Sequence, residues 1–272
     1  MEIKTVAIIG SGSVATNLAS ALRNVVEIKQ IWSRHHENSF ILAEKTGLQP
    51  EAAIDSLDRL IPDLDLYIIS VPDNGYREIY DSFPEVSGIV VNTSGGTPMP
   101  SVKSKSGRFG VFYPLQTFRK SKITCFRSIP ILIEGTDSET IDSLVRLGNK
   151  ISDRVKVIED NEKKAKLHLA AVFASNFPNY LWSLSSILLN ECGENLEFLK
   201  ELITENISNA LELGADASQT GPAMRGDTKV IARHLGIISE SGLPSPVSEE
   251  IYSLLSEAIF KKYHPDNEQD KL

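Results

Sequence analysis

Three small residues, Gly10, Gly12 and Ala15, have the types and the spacing that most clearly indicate chemistry in this chain. They form a G-x-G-x-x-A pattern that lies between an apolar β-branched run and a helical pattern. Gly10 permits a tight turn, Gly12 lets a phosphate approach the backbone, and Ala15 keeps the helix close to the strand. The free N–H groups at the helix start, at Ser13 and Val14, are suited to hold a pyrophosphate. This context predicts a bound dinucleotide; a tight turn without a ligand is the alternative.

The residues that follow the second predicted strand, Ser33, Arg34 and His35, indicate which dinucleotide binds. An NAD-binding fold usually places an acidic residue about 20 positions after the glycines, where it binds the ribose hydroxyls. Here no carboxylate is present, whereas a serine hydroxyl and a planar, permanently charged guanidinium suit a 2′-phosphate. The sequence therefore predicts NADP. The alternative is that Arg34 and His35 belong to a solvated loop without a ligand.

A predicted helix after Asp160 carries polar residues that could transfer protons or hold a substrate. On a regular helix Ser175 and Asn179 lie within roughly 20° of His168, and Asn176 lies within roughly 80° of it. Histidine titrates near neutral pH, so we expect His168 to act as acid–base and Asn176 to position the substrate. Pro178 predicts a kink in this helix. The alternative is a core histidine with asparagines that pack between helices.

Two further clusters leave their roles open. Arg225 and Asp227, next to a Thr-Gly-Pro helix start, could bind an anionic substrate or pair with each other. The segment from Tyr113 to Phe118 follows the sixth strand, where an active-site cleft must open, but it could equally be a strand-ending turn.

These groups are positioned by two predicted domains. Residues 1–159 alternate strands and helices, which predicts a Rossmann-type, doubly wound parallel sheet of the α/β class. Ligands bind at the carboxyl ends of such strands, so Val71, Pro72 and Ser94 are further predicted cofactor residues. Residues 160–272 show long helical patterns, which predict an all-α C-terminal domain for substrate binding and dimerisation.

The composition of the chain argues against several classes of partner and site. The net charge of −8 argues against nucleic acid and anionic membranes as partners, and no stretch has the roughly 20 apolar residues of a membrane span. The two cysteines suggest neither a disulfide framework nor a metal site. With the first strand so close to Met1, these features predict a cytoplasmic protein without a metal. An apolar stripe in the last helix predicts a homodimer; packing of that stripe on the first domain is the alternative.

The opening Gly-Ser-Gly-Ser-Val-Ala-x-Asn-Leu-Ala resembles the N-terminal domain of pyrroline-5-carboxylate reductase and of deazaflavin-dependent NADP reductase. The whole layout resembles the 6-phosphogluconate-dehydrogenase-like superfamily. The Tyr113 segment, the His168 helix and the Thr220–Asp227 segment are most similar to a family that joins a Rossmann-like domain to a helical domain of unknown function. This resemblance implies NADP oxidoreductase chemistry and names no substrate.

One departure from the superfamily concerns catalysis. Its hydroxyacid dehydrogenases carry a Lys-x-x-x-Asn pair on the corresponding helix, and by that register Asn176 matches the asparagine while Val172 replaces the lysine. His168 is the obvious substitute. We therefore predict an oxidoreductase that transfers hydride between NADP(H) and a small polar metabolite. The alternative is a non-catalytic protein that senses NADPH, which the missing lysine favours.

Overall fold

A computed structural model describes residues 1–265 of the 272-residue chain. By their contacts the residues divide into two units, Met1–Phe173 and Ala174–Leu272. The strands of the described residues all lie in the first unit. They are β1 (Thr5–Ile9), β2 (Glu27–Trp32), β3 (Ala53–Ile54), β4 (Leu66–Ile69), β5 (Ile89–Asn92), β6 (Phe109–Pro114), β7 (Ile131–Gly135) and β8 (Val155–Val157).

The helices of the first unit connect and cover these strands. They are α1 (Ser13–Leu22), α2 (His36–Thr46), α3 (Tyr76–Ser82), α4 (Ser138–Ile151) and α5 (Asn161–Ala171), with short 3-10 turns at Pro50–Ala52, Leu57–Arg59 and Asp73–Gly75. After α5 a π-helical segment, Val172–Asn176, leads to the first helix of the second unit.

The strands form one sheet in the order β3-β2-β1-β4-β5-β6-β7-β8. The six strands from β3 to β6 in this order are parallel, β7 runs antiparallel to β6, and β8 is parallel to β7. The chain moves outward in one direction from β1 to β2 and in the other from β1 to β4. A crevice opens at the carboxyl end of β1 where this order reverses, and ligands of doubly wound sheets bind in such a crevice.

Both faces of the central strands β1, β4 and β5 are buried, which explains why these strands are almost continuously apolar. In β1, Val6 and Ile8 pack into a core with helices α1, α2 and α4, while Ala7 and Ile9 pack into a second core with α3. β4 alternates in the same way. The two cores fix β1 and β4 firmly, so the loops at their carboxyl ends are held in place.

The second unit is helical throughout the part that the structure describes, residues 174–265. Its helices are α6 (Phe177–Glu191), α7 (Lys200–Glu212), α8 (Pro222–Arg225), α9 (Thr228–Glu240) and α10 (Val247–Tyr263), with a 3-10 turn at Leu196–Leu199. Residues 222–240 form two helices and not one long helix, because Gly226 adopts the left-handed conformation at φ 73° and ends α8.

The predicted fold class, a Rossmann-type sheet followed by an all-α region, is confirmed. At two places the structure departs from a regular parallel sheet and a regular helix. β7 is antiparallel rather than parallel, and the helix after Asp160 is not regular, because the π segment widens it between Ala171 and Phe177. The angles predicted from 100° per residue therefore do not extend from His168 to Asn176. Pro178 lies in the first turn of α6, directly after the π segment, and the predicted kink stays a prediction.

The domain boundary near Glu159 marks where the strand pattern ends, and it stays a prediction. By contacts, the first unit continues through α5 to Phe173. One reason is visible at Lys164 of α5, whose ammonium pairs with the carboxylate of Glu134 on β7.

Candidate active site

The glycine turn between β1 and α1 has the geometry that a dinucleotide needs. Gly10 has φ +132°, and a Cβ there would lie 2.0 Å from the carbonyl oxygen of Ser70. A Cβ on Gly12 would have no atom within 4 Å, so the backbone faces open space at this position. Gly10 is therefore required by the turn, whereas Gly12 leaves room for a phosphate to reach the backbone.

The start of α1 provides hydrogen-bond donors at this open space. The first backbone bond of the helix runs from Thr16 N–H to the Gly12 carbonyl at 2.9 Å, so the N–H groups of Ser13, Val14 and Ala15 precede the helical ladder. The first turn contains no acidic residue. Ala15 itself is fully buried in the core against the sheet, so its side chain acts through close packing and does not line the site.

A cleft of about 290 Å³ extends from this turn and is called the Gly-turn cleft here. It is formed by the ends of β1, β2 and β4, and by Lys120 from a distant loop. Ser33 is buried, and its hydroxyl lies 2.9 Å from that of Ser11. Arg34 forms an ion pair with Glu78 at 2.6 Å, with both side chains largely exposed. The predicted cofactor residues in this cleft are Gly10, Gly12, Ser33, Arg34, His35, Val71 and Pro72.

A second cleft, of about 340 Å³, is called the His168 cleft here. It contains the predicted residues Ser13, Val14, Ser94 and His168. It shares four lining residues with the Gly-turn cleft, which are Gly12, Ser70, Val71 and Pro72. The two clefts therefore form one groove that follows the carboxyl ends of the strands across β1.

Tyr113 at the end of β6 contacts His168 in this cleft. Its hydroxyl lies 3.0 Å from Nδ1 of the half-buried imidazole, and the two rings meet edge to face. Burial, together with the nearby charge of Asp73, raises the pKa of Tyr113, so the phenol is neutral around pH 7. The sequence indicated the Tyr113 segment but left its role open. The pairing itself could not be predicted because 55 residues separate the partners.

The rings of Tyr113 and His168 pack where a side chain on Gly95 would lie. A Cβ on Gly95 would lie 2.6 Å from Tyr113 Cε1 and 2.8 Å from His168 Nδ1. The loop that contains Gly95 is held by Ser94, whose hydroxyl donates to Asp73 Oδ1 at 2.8 Å and accepts the N–H of Gly96 at 3.1 Å. Ser94 thus has a structural role beside its predicted contact with the cofactor.

A buried ion pair fixes α5 above the sheet. The side chains of Lys164 and Glu134 are 3% and 7% exposed, and their charged atoms are 3.3 Å apart. The ammonium also donates to the carbonyl oxygen of Thr97 at 3.0 Å. Lys164 lies one helical turn before His168, so this pair determines where His168 enters the cleft.

The remaining predicted residues belong to the second unit. Asn176 ends the π segment and precedes α6, and its predicted role in substrate positioning stays a prediction. Arg225 and Asp227 lie 3.5 Å apart and pair with each other, with both side chains about half exposed. Their pairing matches one of the two alternatives that the sequence left open.

Residues 1–265 contain neither a membrane-spanning helix nor a cluster of metal ligands. No helix in that range is long and apolar enough to cross a membrane. No group of three or more histidine, cysteine, aspartate or glutamate residues in it has the arrangement of a metal site.

Comparison with known proteins extends these observations. The family model described as "Domain of unknown function (DUF2520)" matches residues 129–259. A Bacteroides fragilis protein provisionally assigned as an NADP oxidoreductase is 33% identical, with 95% of this chain and 98% of that one covered and a TM-score of 0.85. A Thermotoga maritima protein is 25% identical over 93% of this chain and 99% of its own, with a TM-score of 0.72.

More distant similarities are to enzymes. An Aspergillus terreus reductive aminase, solved with NADPH and ethyl-5-oxohexanoate, shares the fold at 16% identity, with 97% of this chain and 95% of that chain covered and a TM-score of 0.70. A glycerol-3-phosphate dehydrogenase [NAD(P)+] of Legionella pneumophila is 29% identical over 129 residues, or 42% of this chain. The match spans only 39% of that curated relative.

The match covers 98% of the Bacteroides protein. In this chain the glycine turn lies between β1 and α1, and the helical domain follows the Rossmann-type sheet. The chain belongs to the family of NADP oxidoreductases that joins a Rossmann-type domain to this helical domain, within the 6-phosphogluconate-dehydrogenase-like superfamily.

Proposed function

We propose that this protein is an NADP(H)-dependent oxidoreductase that acts on a small polar metabolite. The observation that carries the proposal is the continuous groove, because it connects a dinucleotide turn at one end with the Tyr113–His168 pair at the other. A dinucleotide whose pyrophosphate lies at Gly12 would extend along this groove in both directions. Its adenosine half would lie toward Ser33 and its nicotinamide half toward His168.

The residues present fit NADP(H). The N-terminus of α1 and the open backbone at Gly12 suit the pyrophosphate. The end of β2 offers Ser33 and Arg34 and carries no carboxylate of its own, although Glu78 of α3 pairs with Arg34. When bound, the cofactor supplies or accepts the hydride. The protein's own residues must supply the proton that accompanies it.

His168 is the residue proposed to transfer that proton. In reduction, the imidazolium would donate from Nε2 to the oxygen or nitrogen of the substrate, and in oxidation the neutral ring would accept the proton there. When Nε2 exchanges the proton, Nδ1 carries a hydrogen in both forms of the ring and donates it to the hydroxyl oxygen of Tyr113. The contact therefore persists in both protonation states and holds the ring while Nε2 exchanges its proton.

The substrate is proposed to be a small carbonyl, imine, alcohol or amine compound, with Asn176 as a hydrogen-bonding partner. The superfamily lysine is replaced by Val172, which argues against the usual hydroxyacid dehydrogenase chemistry. The same replacement favours the second candidate function, a protein that binds NADPH without turnover and signals through its helices.

A homodimer and a cytoplasmic location complete the proposal. In the second unit, α6 and α7 contain no buried residue. Leu211, Leu254 and Leu255 are 83%, 66% and 47% exposed. Such large apolar side chains are usually covered by a partner, and twofold dimers are the commonest assembly.

Oxidation of NADPH, followed at 340 nm against a panel of imines, keto acids and aldehydes, tests the function. The proposal expects turnover with at least one class, and a loss of about 100-fold or more in His168→Ala with NADPH affinity retained. Tyr113→Phe is expected to lose less, because the ring of His168 keeps its place in the helix. Tight NADPH binding without turnover of any class would favour the sensor. Full turnover in His168→Ala would contradict the catalytic assignment.

A further inference from the structure

The loop from Phe118 to Phe126 is tied to α1 although it contains no helix or strand, only an isolated bridge between Arg119 and Lys122. Phe118 and Phe126 are buried and stack on each other, with ring centroids 5.3 Å apart. Asn17 of α1 is fully buried, and its amide joins the loop twice. Its Nδ2 donates to the carbonyl of Arg119 at 3.1 Å, and its Oδ1 accepts the N–H of Thr124 at 2.8 Å. The loop therefore presents Lys120 from a fixed backbone.

Lys120 lines the Gly-turn cleft together with Ser33 and Arg34. No aspartate or glutamate lines this cleft, and Arg34 and Lys120 are its two permanently charged side chains. The charge of Arg34 is compensated by Glu78 at 2.6 Å. Lys120, in contrast, takes part in no ion pair within the described part of the chain. The cleft is thus lined by a guanidinium that is paired with a carboxylate, at Arg34, and by an ammonium without such a pair, at Lys120.

We infer that Lys120 binds the 2′-phosphate of NADP(H) and is the main residue that discriminates NADP from NAD. This inference rests on the proposed function, since it names a ligand for the cofactor of that same groove. A phosphate monoester at the ribose carries about two negative charges and requires a positive partner. Arg34 can provide one only by sharing its guanidinium with Glu78, whereas the Lys120 ammonium has no competing carboxylate.

The pyrophosphate is a less suitable partner for Lys120. It has the backbone donors of α1 and the helix dipole, which bind phosphate without a side-chain cation. NAD and NADP share the pyrophosphate and differ only in the 2′-phosphate. The two positions can therefore be separated by comparing the two cofactors.

Titration calorimetry of the full-length protein with NADP⁺ and NAD⁺ tests the inference. The variants are Lys120→Gln, Lys120→Arg, Arg34→Gln and, as a matched control, Lys122→Gln. Lys122 lies on the same loop but does not line the cleft. Loss of a charge-assisted contact predicts that Lys120→Gln weakens NADP⁺ binding by about tenfold or more. NAD⁺ binding should be unchanged, and Lys120→Arg should retain most of the NADP⁺ affinity. Arg34→Gln should lose less than Lys120→Gln, and Lys122→Gln nothing.

The outcomes separate the inference from the proposed function. If the wild type binds neither dinucleotide, the proposed function fails. If the wild type prefers NADP⁺ and Lys120→Gln behaves like Lys122→Gln, the inference alone is overturned. An equal loss of NAD⁺ and NADP⁺ affinity in Lys120→Gln would place the ammonium at the pyrophosphate and would also overturn it.

Discussion

Substitution of Gly95 by alanine should separate the catalytic pair without disturbing the cofactor turn. The backbone at Gly95 does not adopt a positive φ, so alanine is sterically acceptable to the main chain. The added Cβ would nevertheless lie 2.6 Å from Tyr113 Cε1 and 2.8 Å from His168 Nδ1. Favourable carbon contacts begin near about 3.5 Å, so one ring must move by about 1 Å.

The overlap between the added Cβ and the two rings sets how much stability and turnover Gly95→Ala should lose. Overpacking of a well-packed site usually costs about 1–3 kcal/mol, and loss of the Tyr–His hydrogen bond adds about 1 kcal/mol. A misplacement of about 1 Å in a catalytic group can reduce turnover about 100-fold. Gly96→Ala is the matched control, because a Cβ there would meet its nearest atoms, Asp73 Oδ2 and His168 Cδ2, only at 3.9 and 4.0 Å.

Three measurements on both variants check this reasoning. Gly95→Ala should lower turnover about 100-fold, shift the ring resonances of His168 in NMR spectra and leave NADPH affinity within about twofold of the wild type. The His168 resonances are identified by their absence in His168→Ala, so this readout does not require a known substrate. Gly96→Ala should change none of the three. If Gly95→Ala keeps the turnover and the His168 resonances of Gly96→Ala, the Tyr113–His168 pair does not have the role assigned to it.

Three further predictions concern stability and assembly. Lys164→Met leaves the Glu134 charge buried without its partner and should lower the free energy of unfolding, measured in urea, by about 3–5 kcal/mol. The double variant Lys164→Met/Glu134→Leu should recover most of this loss. Equal stability of the two variants would contradict the prediction. Burial raises the pKa of Tyr67 to about 12 from 10.0, so the folded state holds this proton more tightly than the unfolded state does. The contribution of this group to the free energy of unfolding is therefore fully present below pH 10 and should fall by about 3 kcal/mol as the pH rises to 12. Tyr67→Phe should remove this part of the alkaline decline, and an unchanged decline in that variant would refute the cause. Light scattering should give twice the 30.0 kDa mass of the chain, and Leu254→Glu/Leu255→Glu should give 30.0 kDa; a wild-type mass of 30.0 kDa that does not change on dilution would exclude the dimer.

The fold could be predicted because its signals are local. An apolar strand, the glycine pattern and a helix follow each other within the first 22 residues, and the buried strands are almost continuously apolar. The direction of β7 could not be predicted, since an apolar strand reads the same in either direction. The π segment at Val172–Asn176 also leaves no periodic pattern, so helical-wheel angles beyond it were wrong.

The site was predicted where a motif lies within one loop and missed where distant segments meet. Ser33, Arg34 and the glycine turn line the groove, and their contacts with the cofactor stay predictions; the pairing of Arg34 with Glu78 was not foreseen. Tyr113, at the end of β6, and Lys120, from the loop that follows, enter it from far along the chain, and only the folded sheet brings them to β1. Gly95 could not be recognised from the sequence, because its requirement arises from two rings that lie elsewhere in the chain.

The central claim is that one groove holds the cofactor and places its reactive end beside His168. A crystal structure of the protein with NADPH tests this most directly. We expect the pyrophosphate at the N-terminus of α1, the 2′-phosphate in the Gly-turn cleft and the nicotinamide ring in the His168 cleft next to Tyr113. A dinucleotide bound in the reverse direction, or on another surface of the protein, would contradict it.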